Sequence, residues 1–180
     1  MTFFTGKGDD GKTCAFDCDQ RFSKSSNIAN ALGDLDEANS YLGVIKSFLE
    51  EEDDQDFKKD IIEIQQNLFI IQAEVSGAEN KIDKTKISQI EERINQIEKE
   101  IPPIKNFIIS GGTKLSSRFD FSRTLVRRAE RTVVASREEG KVNISSVTMI
   151  YLNRLSSLLY ALARLSDYLS GIKEQSPTYK

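Results

Sequence analysis

The sequence predicts an all-α protein, an up-and-down five-helix bundle that follows an irregular N-terminal loop. Apolar residues recur at three- and four-residue steps in five separate stretches, which is the period of amphipathic helices. The connections between these stretches are short, and almost no run shows the alternation of a strand. The chain has 180 residues, of which 38% are hydrophobic, enough for one real core. We therefore expect a single domain over 1–180, with the loop at 1–25 and the bundle at 26–170.

The first two predicted helices cover 26–50 and 57–77. In the first, an apolar stripe that includes Leu35 and Leu42 runs beside Asp36. A carboxylate in that position either needs a cationic partner, such as an arginine on another helix, or faces solvent. The acidic run at 50–56 between the helices is typical of a solvated connection.

The third predicted helix, 86–100, carries isoleucines at a 3-4-3-4 spacing, which favours packing along a neighbouring helix. Pro102 and Pro103 end it. The segment NFIISGGTK at 106–114 is predicted to be a short apolar extended piece, followed by a Gly-Gly break that allows close backbone approach. Within it, Phe107 would by default be a core residue.

The fourth predicted helix, 118–137, carries an unusual stripe of charge. Arg123, Arg127, Glu130 and Arg131 stand at i, i+4, i+7 and i+8, opposite an apolar arc that includes Phe121 and Leu125, with Arg128 at the edge. Guanidinium groups are rigid, permanently charged donors that fit phosphate oxygens. The stripe favours a polyphosphate site, and the alternative is a surface helix with ordinary i,i+4 pairs.

The fifth predicted helix, 146–170, has a wide apolar surface and is expected to lie at the centre of the bundle. Asn153 interrupts this surface. An amide in that position is either a satisfied structural group or a ligand contact.

The N-terminal run GKGDDGKT at 6–13 has the spacing of a P-loop. A P-loop domain needs a buried strand before this motif and a helix after it, and the flanking residues provide neither. Glycines could still let backbone N–H groups converge on an anion, with Lys7, Lys12 or Lys24 adding charge. The alternative is a flexible charged tail.

Composition excludes several classes of function. The net charge of −3 argues against general nucleic-acid binding, and no apolar run approaches the length of a membrane span. The chain has no histidine, which removes catalytic triads and His-ligated metals. Cys14 and Cys18 lack the additional ligands of a zinc site, so we expect them to be reduced thiols in a cytoplasmic protein. The N-terminal residues do not show the pattern of a signal peptide.

Five motifs occur in order along almost the whole chain. They are TGKGDDGKT near the N-terminus, ALGDLDEANSYLG at 31–43, FIISGG at 107–112, SRTLVRRAER at 122–131 and YLNRLSSLLYALAR at 151–164. Together they closely resemble the PduO-type ATP:cob(I)alamin adenosyltransferases. The resemblance implies a ferritin-like five-helix bundle that forms homotrimers, with active sites between neighbouring subunits.

The resemblance also implies which residues bind nucleotide. The N-terminal loop would wrap the ATP phosphates, a lysine before the first helix and the RRAER run would add charge, and an asparagine on the last helix would complete the site. These residues are Thr5, Gly6, Lys7, Gly8, Asp9, Gly11, Thr13, Lys24, Arg127, Arg128, Glu130, Arg131 and Asn153.

On the corrin side, the resemblance implies a salt bridge between Asp36 and Arg123. It places Phe107 on the face of cobalt normally taken by the lower ligand. The predicted catalytic residues are therefore Asp36, Phe107, Arg123, Arg127 and Glu130.

Three positions depart from the family pattern. Asp120 stands where histidine is usual, Ser157 stands where aspartate is frequent, and Lys7 stands where threonine is common. The first two put the local hydrogen bonding in doubt, but not the nucleotide site.

The activity implied is transfer of the 5′-deoxyadenosyl group of ATP to the Co(I) of reduced cobalamin, cob(I)alamin. Co(I) is itself a strong nucleophile, which agrees with a chain that lacks a histidine base. Mg²⁺ would be bound mainly through the ATP phosphates, with no side-chain ligand assigned. A flavin-dependent corrinoid reductase is the expected protein partner. The rival interpretations are a non-catalytic ATP-binding regulatory bundle and a structural bundle whose arginine stripe contacts an acidic partner.

Overall fold

The computed structural model of the protein describes residues 3–14, 21–51 and 54–179. This part of the chain contains α1 (Asn27–Glu51), α2 (Gln55–Val75), α3 (Thr85–Glu100), α4 (Lys114–Glu138) and α5 (Ser146–Leu169). Two short strands, β1 (Lys12–Cys14) and β2 (Arg21–Ser23), precede the helices. The all-α prediction is confirmed, and the five helices lie where their periodicity placed them.

Helices α2, α4 and α5 begin at polar side chains that accept hydrogen bonds from free backbone N–H groups. Asp54 accepts a hydrogen bond from the N–H of Phe57 at the start of α2. At the start of α4, Thr113 and Ser116 form a reciprocal capping box. Because this cap lies before Lys114, α4 begins four residues earlier than the arginine-rich run alone predicted.

The helices share one core. Helix α4 packs between α1 and α5, α1 packs against α2, and α5 contacts α2, α3 and α4. The isoleucine seam of α3 buries Ile90 and Ile97. Helix α5 contributes thirteen buried residues between Thr148 and Ser166 and leaves one narrow stripe, with Asn153 and Ser157, exposed. The predicted central position of α5 is therefore confirmed.

Buried polar contacts tie α2 to α5. The carboxylate of Glu74, 1% exposed, accepts hydrogen bonds from the Ser145 N–H at 2.7 Å and from the Thr148 hydroxyl. It therefore caps the N-terminus of α5, where the helix dipole favours a negative charge. Deeper in the bundle, the amide of Asn67 donates to the Tyr151 hydroxyl at 3.0 Å.

Three local features differ from the predictions. The N-terminal region forms a hairpin, in which Lys12 pairs with Ser23; strands of three residues are too short to show alternation in the sequence. The 106–114 segment contains no regular strand and makes one backbone bond to the C-terminal tail, from the Ile109 N–H to the Gln175 carbonyl at 2.8 Å. Phe121 is half-exposed, although it falls in the apolar arc of α4.

Candidate functional site

Helix α4 separates its structural face from its charged face. Phe119, Val126 and Ala129 are fully buried in the core. Arg127 and Arg131, on the other side of the helix, are exposed. One continuous helix thus fixes the arginine stripe rigidly relative to the core.

Four predicted residues meet on the outer face of α4 and α5. Among the described residues, the Arg127 guanidinium has no hydrogen bond or ion pair, and its carbonyl accepts a bond from the Arg131 guanidinium at 3.0 Å. The Asn153 amide donates to the Glu130 carboxylate at 3.2 Å. A donor-rich surface therefore surrounds one oriented carboxylate, which suits an anionic ligand with several phosphates.

Sequence reasoning missed two residues that support this cluster. Arg154 donates from Nη1 to the side-chain oxygen Oδ1 of Asn153 at 3.0 Å and from Nε to Glu91 Oε1 at 2.8 Å. The bond to the Asn153 oxygen turns its NH₂ group toward Glu130. The position of Arg154 next to Asn153 in LNRLS was the available signal, but nothing in the sequence pointed to Glu91 on α3.

Arg128 faces a different direction from Arg127. Its guanidinium pairs with Glu37 and with Asp34 Oδ1 at 3.3 Å, both on α1. The Thr132 hydroxyl donates to the same Asp34 carboxylate at 2.9 Å. Arg128 therefore joins α4 to α1 in this structure. To contact a nucleotide as predicted, its guanidinium would have to bind the nucleotide in addition to Asp34 and Glu37.

The structure does not bring Asp36 and Arg123 together within the chain. The Arg123 guanidinium bonds Asp120 at 3.1 Å, one turn earlier on α4, and lies 5.8 Å from the centre of the Tyr160 ring. Burial raises the pKa of Tyr160, so that ring faces Arg123 as a neutral aromatic. Asp36 is exposed beside the cleft between α1 and α2 that Phe69 also lines. Within the described residues of one chain, Asp36 and Arg123 therefore form no ion pair, and the predicted salt bridge stays a prediction.

The N-terminal loop is organised by glycine turns and two cations. Gly6 and Gly11 adopt left-handed backbone angles, with φ of 70° and 76°. The Lys24 ammonium donates to the Gly8 carbonyl at 2.8 Å, which connects the loop to the residues before α1. Arg21, which sequence reasoning also missed, pairs with Asp10 at 2.7 Å and lowers the pKa of that carboxyl through its hydrogen bond.

The other predicted loop residues lie on the Gly6 turn or in the strand that follows it. The Lys7 N–H donates to the Thr5 hydroxyl at 3.4 Å, the Asp9 N–H donates to the Gly6 carbonyl at 3.2 Å, and Thr13 is in β1 opposite Phe22. No hydrogen bond or ion pair joins described residues 3–14 to the α4 stripe. The loop and the stripe are therefore separate parts of the predicted site within one chain.

Phe107 is 79% exposed, which contradicts the default expectation of a core residue. It lies on the connection between α3 and α4, with the exposed side chains of Ile104 and Ile109 nearby in sequence. The connection ends at Gly112, where an added Cβ would stand 2.4 Å from Asp167 Oδ1. The Gly-Gly break predicted to allow close approach therefore packs against α5.

The described parts of the chain contain neither a cluster of side-chain metal ligands nor a helix that could span a membrane. Within residues 3–14, 21–51 and 54–179, no group of three His, Cys, Asp or Glu side chains could hold a metal ion. None of the helices described is long and apolar enough to cross a bilayer. Cys14 is an exposed free thiol, while Cys18 lies outside the described residues.

Comparison with known sequences gives a consistent result. The profile of the family described as cobalamin adenosyltransferase matches residues 3–166. The corrinoid adenosyltransferase PduO of Salmonella typhimurium is 38% identical over 93% of this chain, and the match covers 50% of that protein. The corrinoid adenosyltransferase of Bacillus subtilis is 32% identical over 96% of this chain and 90% of its own length. The chain thus spans about half the length of the PduO relative and most of the Bacillus one.

Solved structures agree with the sequence matches. A variant of the PduO-type ATP:corrinoid adenosyltransferase from Lactobacillus reuteri, complexed with cobalamin and ATP, superposes with a TM-score of 0.89 at 30% identity. The superposition covers 98% of this chain and 99% of that one. A second variant from the same organism, complexed with ATP, gives a TM-score of 0.87 at 29% identity, with 98% and 100% coverage.

Proposed function

The chain belongs to the cobalamin adenosyltransferase family, and from this membership we propose that it transfers the 5′-deoxyadenosyl group of ATP to cob(I)alamin. The products are adenosylcobalamin and inorganic triphosphate. One observation carries the proposal: the Arg127 guanidinium has no partner among the described residues, on a face that it shares with Arg131 and the Glu130–Asn153 pair. In a family whose members have been solved with cobalamin and ATP, the triphosphate is the anion that fits this face.

The reaction requires no nucleophile from the protein. The electron pair of Co(I) attacks C5′ of ATP, the cobalt–carbon bond forms, and the bond between C5′ and the bridging oxygen breaks. The electron pair of Co(I) becomes the cobalt–carbon bond, triphosphate leaves with the electron pair of the broken C–O bond, and cobalt is formally oxidised to Co(III). The protein must position both substrates and stabilise the charge on the leaving group.

The arginine stripe performs the second of these tasks. Arg127 and Arg131 donate to the oxygens of the departing triphosphate, and the loop glycines with Lys7 and Lys24 enclose the phosphates from the other side. Lys24 gives up its bond to the Gly8 carbonyl when a phosphate takes that place. Glu130, held by Asn153, orients the neighbouring arginines or a metal-bound water.

Mg²⁺ is the cation expected with ATP. The described residues contain no cluster of side-chain ligands for it, and Mg²⁺ commonly binds through substrate phosphates with one or two carboxylates. We expect Asp9 and Glu130 to accept hydrogen bonds from its water ligands, and the ion would neutralise part of the phosphate charge.

Phe107 serves the corrinoid. Its exposed ring occupies the lower face of the corrin and displaces the lower ligand, which makes cobalt easier to reduce. Phe107→Ala should therefore slow turnover with cobalamin more than it weakens ATP binding, as steady-state kinetics and equilibrium ATP titration would measure. Equal losses in both measurements would contradict this role.

The complete site requires neighbouring subunits. No hydrogen bond or ion pair joins described residues 3–14 to the arginine stripe, and none joins Asp36 to Arg123. A homotrimer would place Asp36 of one subunit against Arg123 of the next, and the loop against a neighbouring stripe. We place this assembly in the cytoplasm, where thiols stay reduced, with a flavin-dependent corrinoid reductase supplying Co(I).

One experiment tests the activity. The protein is incubated anaerobically with ATP and chemically reduced cobalamin, while the corrinoid spectrum and triphosphate release are followed. We expect adenosylcobalamin and triphosphate to appear in equal amounts. ATP binding without transfer would indicate the regulatory bundle, and the absence of any ATP-dependent thermal shift would indicate the structural bundle.

A further inference from the structure

Arg164 is a buried cation that the proposed chemistry does not use. The residue is 6% exposed near the C-terminal end of α5. Its Nε donates to Glu174 Oε1 at 2.7 Å, and its Nη2 donates to the Pro102 carbonyl at 2.8 Å. A buried guanidinium is costly to desolvate, so a chain retains it where both of its partners must be held.

The two partners belong to segments that are far apart in sequence. Pro102 begins the connection from α3 to α4, and Glu174 belongs to the tail that follows α5. The tail is turned back at Gly171, with φ of 67°, and by a bond from the Ile172 N–H to the Asp167 carbonyl at 2.9 Å. One guanidinium therefore joins the connection and the tail to the end of α5.

The tail in turn holds the far end of the same connection. Gln175, next to Glu174, accepts the backbone bond from the Ile109 N–H at 2.8 Å. Residues 102–109 are thus fixed at one end by Arg164 directly and at the other through Glu174 and Gln175. Phe107 lies between these two attachments.

Little else fixes this segment. A cleft of about 360 Å³ lies between it and the tail, lined among others by Pro103, Ile108 and Ile172. Without core packing behind it, the position of an exposed ring depends on its backbone attachments.

We propose that Arg164 is a positioning residue, which sets the placement of Phe107 against the corrinoid through Glu174 and the C-terminal tail. This proposal rests on the proposed function for its catalytic consequence. Its structural consequence, a fixed 102–109 segment, is independent of any activity.

The structural consequence is tested by limited proteolysis. Glu174→Gln weakens the charge-assisted bond while keeping the shape of the side chain, and Arg164→Gln removes both attachments. Lys105 lies inside the held segment and is exposed. We expect trypsin to cleave after Lys105 several-fold faster in both variants, as mass spectrometry would show.

Glu63→Gln, which alters a 3.2 Å pair with Lys86 elsewhere in the bundle, is the matched control. Cleavage at the control rate in Glu174→Gln would overturn the proposal, whether or not Arg164→Gln folds.

The catalytic consequence is tested with two corrinoids. Cobalamin carries a lower-ligand base, whereas cobinamide lacks it. If the attachment places Phe107, Glu174→Gln should lower kcat with cobalamin by about tenfold or more and affect cobinamide less, with ATP affinity within about twofold of wild type. Equal losses with both corrinoids, or a parallel loss of ATP affinity, would overturn the positioning role. A wild-type protein that makes no adenosylcobalamin would instead refute the proposed function and leave the proteolysis result to decide the attachment.

Discussion

At the scale of single residues, adjacent arginines of α4 have opposite environments. Arg127 projects from the bundle without a partner in the described chain, whereas Arg128 is engaged by Asp34 and Glu37 of α1. The sequence placed both in one nucleotide-binding run. Helical geometry separates them by about 100°, which is enough to give one a free donor face and the other an interhelical role.

Arg127→Ala should therefore reduce activity without reducing stability. Loss of one donor to the leaving group is expected to lower kcat/KM for ATP by about 100-fold. Because the side chain is exposed, the free energy of unfolding should stay within about 0.5 kcal/mol of wild type in urea titrations. Arg137→Ala, an exposed arginine at the end of the same helix, should keep wild-type kinetics. A stable Arg127→Ala enzyme with full activity would refute the role given to this residue.

Gly112 shows a second effect at this scale. An added Cβ would lie 2.4 to 2.5 Å from three atoms of the Asp167 carboxylate, so the whole carboxylate would have to move. Gly112→Ala should lower the free energy of unfolding by about 1–3 kcal/mol, and adding Asp167→Ala should recover most of that loss. Gly33→Ala, in the interior of α1 with nothing within 4 Å, should instead raise stability by about 0.5–1 kcal/mol. Destabilisation that persists in the Gly112→Ala, Asp167→Ala double variant would exclude the steric explanation.

At the scale of elements, α2 and α3 are joined by a half-buried ion pair. Asp60 bonds Arg93 at 2.9 Å, with the Asp60 side chain 18% exposed. Burial raises the pKa of the Asp60 carboxyl, and this effect outweighs the opposing influence of Arg93. The folded state therefore binds a proton at Asp60 more readily than the unfolded chain does.

The pH dependence follows from that direction. The contribution of Asp60 titration to stability is fully present below its unfolded pKa, near 3.8, and is lost as the pH rises through the higher folded pKa. Urea unfolding of wild type and Asp60→Asn between pH 3 and pH 7 should show the wild type losing stability relative to the variant as the pH rises. A difference that is constant with pH would show that burial does not perturb this carboxyl.

The elements also show what could be predicted from the sequence. Helices α1 to α5 were predictable because long periodic stripes such as Ile90 to Ile97 in α3 record which face is buried. The β1–β2 hairpin was not, since three-residue strands carry no periodic signal. Among site residues, Arg127, Glu130 and Asn153 could be grouped from motifs. Glu91 could not, because its contact with Arg154 joins α3 to α5 across the bundle.

At the scale of the whole molecule, the single chain leaves the predicted site open. Asp36 borders the α1–α2 cleft, whereas Arg123 bonds Asp120 and faces the Tyr160 ring of α5. No hydrogen bond or ion pair joins described residues 3–14 to the stripe. The proposed trimer resolves these facts together. A single sequence does not reveal ion pairs between subunits. Hydrophobic periodicity indicates which helix faces are buried within one chain, but not which residues contact a second copy of the chain.

A double-mutant cycle tests the pairing between subunits. Asp36→Asn and Arg123→Gln should each weaken the assembly and lower turnover, and the double variant should be no worse than either single variant, because all three lack the same contact. Light scattering would report the mass of the assembly beside the activity. Glu37→Gln, which alters a contact within the chain to Arg128, should leave the mass unchanged. Additive losses in the double variant would show that Asp36 and Arg123 do not meet.

The unbroken course of α4 has a consequence for how this protein can vary. Because the core face and the arginine face share one helix, inserting or deleting one residue within it would rotate every later side chain by about 100°. A point substitution therefore affects one face of this helix at a time, whereas a change in its length displaces both faces. We expect insertions and deletions to be tolerated better in the connections between helices, such as the left-handed turn at Gly140 between α4 and α5.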